Sequence, residues 1–314
     1  MPAQRRVLVA LGGNAMTTPD GSARPDDQRK AIEGAMEHVA DLIEAGTEVV
    51  LTHGNGPQVG NLLVKNELAA HVVPPVPLDW CGAQTQGTIG FTMVGALEAA
   101  LHRRGLRRSA AALVTRTLVD AADPAFASPS KPIGRYLDRG EAERLIELGQ
   151  NWVDLGARGW RRVVPSPEPR EILDAPAIGA LLDAGVVPVA AGGGGIPVVR
   201  DPSGAVRGIE AVLDKDRTAA LLARTVRAST LVIATDVPNA VLDFGTPAAR
   251  PIGRISAAEL GEYAAAGHFG GGSMGPKVQA ALRFVAAGGE RAVITALDRL
   301  ESGLAGAAGT VVEP

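Results

Sequence analysis

Short runs of apolar and β-branched residues alternate with longer amphipathic segments along this chain. The apolar runs predict strands at 6–11, 47–53, 110–115, 186–190, 230–235 and 292–295. Amphipathic patterns between them predict helices, including 26–45, 58–70 and 78–104. Strands that alternate with helices form βαβ crossovers, which give a mainly parallel sheet covered by helices on both faces. We therefore predict an α/β fold, with residues 1–314 as one domain.

One stretch, from about residue 120 to residue 171, interrupts this alternation. It contains two of the three tryptophans and six prolines: Pro124, Pro129, Pro132, Pro165, Pro167 and Pro169. We interpret it as a smaller lobe that protrudes from the main sheet and could act as a lid. Further along, residues 198–208 predict a β-hairpin with Asp-Pro-Ser-Gly at its turn.

The composition excludes several classes of protein. A net charge of −3 and an aromatic content of 3% argue against nucleic-acid binding through phosphate contacts or base stacking. The single cysteine, Cys81, excludes a disulfide framework and a multi-cysteine metal site. No apolar run approaches the ~20 residues that span a bilayer, and the apolar part of the N-terminus is shorter than a signal-peptide core. We expect a cytoplasmic protein that binds neither nucleic acid nor membranes.

Three glycine clusters directly follow predicted strands, in LGGNA (11–15), HGNGPQ (53–58) and AGGGGIPV (191–198). Ligands of open parallel sheets bind beyond the carboxyl ends of the strands. Glycine at that position lets backbone N–H groups approach an anion closely. The clusters therefore predict a glycine-lined floor for an anionic ligand, to which Asn14 and Asn55 add neutral donors.

A fourth cluster, HFGGGSMGPK (268–277), matches G-x-G-x-x-G by its letters but follows a helical pattern instead of a strand. The dinucleotide-binding interpretation therefore fails, and no Walker A motif occurs in the chain. A helical pattern begins immediately after these glycines, with Lys277 in its first turn. Glycines that open a helix beside a lysine are typical of a phosphate-binding loop.

Lysine is rare in this chain, since only five of its 31 basic residues are lysines. Lys30 and Lys65 lie in amphipathic helical patterns, whereas the other three lie in loops beside Gly, Pro or Asp: Lys131, Lys215 and Lys277. A lysine ammonium is a compact charge that can follow a moving phosphoryl group. In LDKD (213–216), the two aspartates could cap the following helix, hold the lysine in position or share in binding Mg²⁺. His53, beside the glycines, is interpreted as a local hydrogen-bonding residue.

Seven motifs of this chain resemble those of the carbamate kinases, in the same order: ALGGNA, THGNGPQVGNLL, KPIG, ARGWRRVVPSPEP, GGGGIPV, EAVLDKD and GSMGPK. The resemblance covers the whole chain and implies the amino-acid-kinase fold, a three-layer α/β/α sandwich with a small protruding subdomain, usually a homodimer. It also implies reversible phosphoryl transfer between ATP and carbamate, which gives ADP and carbamoyl phosphate with Mg²⁺. Such an enzyme typically makes ATP during arginine breakdown or purine and ureide breakdown.

Carried over residue by residue, the resemblance assigns site residues in this chain. The catalytic residues it implies are Lys131, Lys215, Asp216 and Lys277. The anion-binding turns near the transferred group fall on Gly12, Gly13, Asn14, Gly54, Asn55 and Gly56. The nucleotide contacts it implies fall on Asp214, Gly272, Ser273 and Met274. The metal ligands stay unassigned.

The chain departs from many members of the family at two places. Glycines occupy 270–271 where relatives have Ala-Pro, and the stretch 235–247, around the expected adenine pocket, differs near Leu242, Asp243 and Thr246. Two other hypotheses stay open. One is a kinase of the same fold for another acceptor, such as an amino acid, N-acetylglutamate or a nucleoside monophosphate. The other is a nucleotide-binding or regulatory protein without catalytic activity.

Overall fold

The computed structural model describes residues 5–13, 24–269 and 273–314. Within these ranges the helices, numbered α1 to α9 in chain order, are Pro25–Glu44, Gly56–Ala69, Leu78–Arg103, Arg139–Glu147, Ala175–Asp183, Lys215–Thr225, Ala257–Ala265, Met274–Ala286 and Leu300–Leu304. The strands, numbered β1 to β17, are Arg6–Leu11, Glu48–His53, Ala110–Ala112, Arg116–Leu118, Lys131–Leu137, Trp152–Asp154, Trp160–Val164, Glu171–Ile172, Val187–Val189, Ile196–Arg200, Val206–Gly208, Thr230–Thr235, Val241–Leu242, Arg250–Pro251, Arg254–Ser256, Arg291–Ala296 and Thr310–Glu313.

The largest sheet in the described ranges has eight strands in the order β15-β17-β16-β12-β1-β2-β9-β3. All neighbouring strands in it are parallel except β16 and β17. In the register, Leu11 at the end of β1 lies between Ala234 of β12 and His53 of β2. The carboxyl ends of these central strands therefore lie at the same edge of the sheet, as the alternating pattern predicts.

Helices cover both faces of this sheet. Alternate residues of β1 enter two separate hydrophobic clusters: Leu8 and Ala10 pack with α5, α6 and α8, whereas Val7, Val9 and Leu11 pack with α1, α3 and α9. A strand whose residues are buried on both faces has a continuous apolar run, which is why RVLVAL predicts a strand of a parallel sheet. The predicted three-layer α/β/α architecture is confirmed.

Smaller sheets complete the described structure. Strands β5, β7 and β6 form an antiparallel three-stranded sheet. Its own small cluster includes Leu137, Ala142 and Trp152, and β5 also packs through Ile133 on α2. The predicted hairpin is formed by β10 and β11 in a four-stranded sheet with β4 and β8. That residues 120–171 form a separate protruding unit stays a prediction.

Several element boundaries differ from the predictions by one to three residues, and two of these differences have a local cause. Strand β3 ends at Ala112 instead of residue 115, and the backbone N–H of Thr115 donates to the side chain of Gln86. The helical pattern before HFGGGSMGPK starts at residue 255, but its first two residues belong to edge strand β15. Helix α7 begins only where the Ser256 hydroxyl accepts from Glu259 N–H. In the described part of the chain, no helix is both long and apolar enough to cross a membrane.

Candidate active site

Three glycine loops lie side by side at the carboxyl ends of β1, β2 and β9, which are neighbours in the large sheet. A Cβ atom added to Gly54 would lie 2.8 Å from the backbone nitrogen of Gly13 and 3.3 Å from Cδ of Lys215. One added to Gly193 would lie 2.1 Å from Nδ2 of Asn55. The loops are therefore in contact, and these positions leave no room for a side chain. The structure brings the glycine clusters together into the floor that their positions predict.

Polar side chains of α3 and β4 hold these loops in place through hydrogen bonds. The Gln86 amide donates to the carbonyl oxygens of Thr115 (3.2 Å) and Gly192 (3.0 Å) and accepts from Thr115 N–H at 2.7 Å. Asn55 Nδ2 donates to Thr85 Oγ1 at 2.9 Å, and Thr117 Oγ1 donates to Gly194 O at 3.0 Å. Buried donors and acceptors that are paired in this way give the loops one fixed conformation.

Sequence reasoning missed these supporting residues. A usable signal existed, because Thr85 and Gln86 precede Ile89 and Met93 on the side of α3 that carries its buried apolar residues. A polar pair on an otherwise apolar helix face needs partners inside the protein. Here the partners are the loops of the site.

The lysines singled out by their rarity meet at the start of α6. Lys215 Nζ lies 2.6 Å from Asp216 Oδ1, and Lys277 Nζ lies 3.5 Å from Asp216 Oδ2. Lys131, the first residue of β5, lies 2.8 Å from Asp214 Oδ2. Three ammonium groups and two carboxylates therefore form one cluster with a surplus of one positive charge. The structure brings together all four residues predicted as catalytic, although their roles in catalysis stay predictions.

The start of α6 is formed by Asp214, whose Oδ1 accepts from the backbone N–H groups of Asp216 (3.0 Å) and Arg217 (3.2 Å). An aspartate N-cap satisfies donors that the first helical turn leaves unpaired. One of the roles left open for the aspartates of LDKD, the helix cap, is thus observed for Asp214. A second role, holding a lysine in position, is consistent with the ion pairs of both Asp214 and Asp216.

Burial shifts the pKa values of several groups in the site. Desolvation lowers the pKa of Lys277, and Asp216 opposes this effect only in part. Burial alone would raise the pKa of Asp214, but the charge of Lys131 and its hydrogen bond bring that pKa below its usual value. Desolvation lowers the pKa of His53 to about 4, so this residue is neutral at pH 7. Its Nδ1 lies 2.9 Å from the carbonyl oxygen of Gly54, in agreement with the expected local hydrogen bond.

The predicted phosphate loop precedes α8. Ser273 occupies the N-cap position, Met274 is the first helical residue, and Lys277 Nζ lies 3.2 Å from Ser273 O. The helix thus begins where the glycine–lysine pattern predicts. Asn14 and Gly272, together with Gly270 and Gly271, lie outside the described residues.

The stretch around the expected adenine pocket forms a turn with a left-handed residue. Asp243 has φ +52°, and its carboxylate lies 3.1 Å from Nδ1 of His268. Thr246 Oγ1 donates to the carbonyl oxygen of Asp243 at 2.8 Å, whereas Leu242 is buried. His268 also stacks edge-to-face with Tyr263, at a centroid distance of 5.5 Å. This stretch is therefore held to the segment after α7 by a carboxylate–imidazole contact.

The cluster does not suit a magnesium ion held by protein ligands alone. Mg²⁺ prefers oxygen ligands, usually one or two carboxylates completed by substrate phosphates and water. The carboxylates of Asp214 and Asp216 already pair with lysine ammonium groups. In the part of the chain that the structure describes, no group of three or more His, Cys, Asp or Glu residues could hold a metal ion. The donor set fits magnesium that arrives bound to nucleotide phosphates.

Comparisons with known proteins agree with this geometry. The amino acid kinase family model matches residues 5–296. The carbamate kinase of Thermococcus kodakarensis is 45% identical over 98% of this chain and 99% of its own length, and that of Lentilactobacillus hilgardii is 42% identical over 98% and 97%. A solved structure of carbamate kinase from Giardia lamblia bound to AMP-PNP superimposes with a TM-score of 0.93, at 40% identity over 100% of this chain and 99% of that one. The chain belongs to the amino acid kinase family and, within it, to the carbamate kinases.

Proposed function

We propose that this protein catalyses reversible transfer of a phosphoryl group between ATP and carbamate. In the direction of ATP synthesis, the P–O bond to the carbamate oxygen of carbamoyl phosphate breaks, and a new P–O bond forms to the terminal phosphate oxygen of ADP. The observation that carries the proposal is the cluster of three lysines and two aspartates beside the glycine floor. The Giardia lamblia relative, whose structure contains an ATP analogue, supports the nucleotide part of the proposal.

Phosphoryl transfer depends on positioning and charge neutralisation more than on covalent chemistry by the protein. In our proposal, Lys215 and Lys277 neutralise the phosphates while Lys131 guides the transferred group. The equatorial oxygens of the transferred phosphoryl group are stabilised by backbone N–H groups of the floor. We assign these N–H groups to Gly12, Gly13, Asn14, Gly54, Asn55 and Gly56. Ser273 and Met274 at the start of α8, together with Gly272 before them in the sequence, contact the nucleotide phosphates in this proposal. Magnesium enters as part of the nucleotide substrate.

The glycine-rich composition of the floor favours a small acceptor. A larger acceptor, such as an amino acid, needs side-chain contacts for its additional groups. Here the neighbouring loops are in close contact, and added Cβ atoms would clash at Gly54 and Gly193. Carbamate, with one carboxylate and one amino group, needs little more than backbone donors. We further propose that the enzyme runs towards ATP synthesis in arginine or purine and ureide breakdown.

We also propose that the protein is a homodimer, as the resemblance implies. Phe91 on α3 has 75% of its surface exposed, and Trp80 on the same helix has 60% exposed. Large exposed apolar side chains of this kind are common at subunit interfaces. Sedimentation velocity tests this directly, because a monomer at micromolar concentration contradicts the proposal.

The deciding experiment measures ATP formation from ADP, Mg²⁺ and carbamoyl phosphate. We expect rapid ATP formation by the natural protein, a loss on the order of 10²–10³-fold in turnover for Lys215→Ala, and no change for Lys30→Ala, an exposed lysine of α1. ADP binding without ATP formation contradicts the proposal. In that case, a screen of amino acids, N-acetylglutamate and nucleoside monophosphates with ATP identifies another acceptor, and no turnover with any of them leaves a protein that binds nucleotide without catalysis.

A further inference from the structure

The two carboxylate oxygens of Asp214 have different partners, and each partner belongs to a different part of the site. Oδ1 accepts from the first-turn N–H groups of α6, the helix that carries Lys215 and Asp216. Oδ2 accepts from Nζ of Lys131, which opens β5 in the three-stranded sheet. Residues 131 and 214 are far apart in the chain, so this carboxylate is a direct link between that sheet and the lysine cluster.

We infer that Asp214 is a positioning residue, which holds the Lys131 ammonium beside the lysine cluster of α6. This inference rests on the proposed function, since Lys131 is the group that guides the transferred phosphoryl there. It differs from the direct nucleotide contact that the family resemblance implies for Asp214. Both of its oxygens already have protein partners.

Lys131 depends on this contact. Within the described residues, its ion pair is the one with Asp214, and 33% of its side chain is exposed. A lysine side chain loses considerable rotamer freedom when it is held in one place. The buried carboxylate, with 11% of its side chain exposed, supplies a fixed acceptor for the ammonium. Without it, the Lys131 ammonium samples several positions, and few of them suit a phosphoryl group in transfer.

The helix cap and the lysine contact can be separated by substitution. Asparagine is as good an N-cap as aspartate, because its side-chain oxygen still accepts from the first-turn N–H groups. Asp214→Asn therefore keeps the start of α6 but removes the charge that attracts Lys131. Asp138→Asn is the matched control, since Asp138 caps α4 in the same way, through Glu141 N–H, outside the lysine cluster.

The experiment compares kcat and KM for ADP in ATP formation. For Asp214→Asn, we expect kcat to fall on the order of 10- to 100-fold, because misplacing a reacting group is costly. We expect KM to stay within about twofold, since no nucleotide contact is lost. In a Lys131→Met background, adding Asp214→Asn should change kcat by less than about twofold, because the positioned group is already absent. Asp138→Asn should leave both constants unchanged.

A second measurement needs no activity. Reductive ¹³C-methylation labels the chain's five lysines, and the NMR signal of Lys131 is assigned with Lys131→Met. The Lys131 signal should shift in Asp214→Asn and stay in place in Asp138→Asn. An unmoved signal overturns the inference. So does an active enzyme in which Asp214→Asn raises only KM, or one in which the kcat losses of Asp214→Asn and Lys131→Met multiply in the double variant. If the natural protein makes no ATP while the Lys131 signal shifts, the proposed function fails, and with it the catalytic purpose assigned to the contact.

Discussion

Gly193 provides a sharp test of how tightly the floor of the site is built. It has φ +67°, and a Cβ atom there would lie 2.1 Å from Asn55 Nδ2 and 2.4 Å from Asn55 Cγ. Gly193→Ala therefore introduces two problems, a left-handed residue with a Cβ atom and a clash with a buried side chain. Gly185 separates them, because its φ of +74° is similar but no atom lies within 4 Å of the added Cβ.

The expected costs follow from these contacts. A left-handed alanine costs about 1–2 kcal/mol, which is the whole effect expected for Gly185→Ala. In Gly193→Ala, the side chain of Asn55 must also move and lose its 2.9 Å hydrogen bond to Thr85. A buried polar group left without its partner costs about 1–3 kcal/mol more. We therefore expect Gly193→Ala to lower the free energy of unfolding by about 2–5 kcal/mol.

Urea unfolding measures both variants, and Asn55→Ala completes the comparison. Once the Asn55 side chain is removed, Gly193→Ala should cost only the about 1–2 kcal/mol of the backbone strain. Turnover should also fall in Gly193→Ala, because displaced loops no longer present their N–H groups correctly. Equal destabilisation by Gly193→Ala and Gly185→Ala would show that the loops are not in rigid contact and would refute the reasoning.

Three further predictions concern charge in the site. Lys277→Arg should lower turnover on the order of 10²–10³-fold in the ATP-formation assay, whereas Lys30→Arg should have no effect. The reason is that a planar guanidinium replaces a compact charge in a space where only 7% of the lysine side chain is exposed. Asp216→Asn should lower the free energy of unfolding by about 3–5 kcal/mol, because it leaves Lys215 and Lys277 without their shared counterion. In urea unfolding, added phosphate should recover part of this loss, and equal stability with and without phosphate contradicts the prediction. The pKa of His53 falls from 6.5 to about 4 on folding, so the unfolded state gains the proton first as the pH drops. The protein should therefore lose about 3 kcal/mol of stability between pH 6.5 and pH 4. This loss should disappear in His53→Gln and persist in His102→Gln.

The sequence allowed the central sheet and its glycine loops to be predicted, because both depend on local patterns. A strand buried on two faces needs an unbroken apolar run, and a loop that approaches an anion needs glycine. The three lysines were also identifiable, since their loop positions stood out in a chain whose basic residues are mostly arginine. The strands and loops need only residues within a few positions of one another, and the lysines need only the overall composition.

Contacts between distant parts of the chain could not be predicted in this way. Gln86 reaches Gly192 because of how α3 packs on the large sheet, and Lys131 reaches Asp214 because of how the three-stranded sheet packs on α2. No local pattern around Lys131 predicts which residue it pairs with. Strand β3 was predicted too long for the same reason, since Thr115 hydrogen-bonds to a distant helix instead of continuing the strand.

The charge balance of the cluster explains why a fold can retain three lysines at one place. Burying an ammonium group is costly unless a counterion is near, and Asp214 and Asp216 offset most of this cost. They do not offset all of it, because three positive charges meet two negative ones. Burial, and after it the charge of Lys215, lowers the pKa of the most deeply buried lysine, Lys277. A third carboxylate would complete the balance and make the ligand-free protein more stable. It would also repel the phosphates, so the missing negative charge is the one that a phosphorylated ligand supplies when it binds.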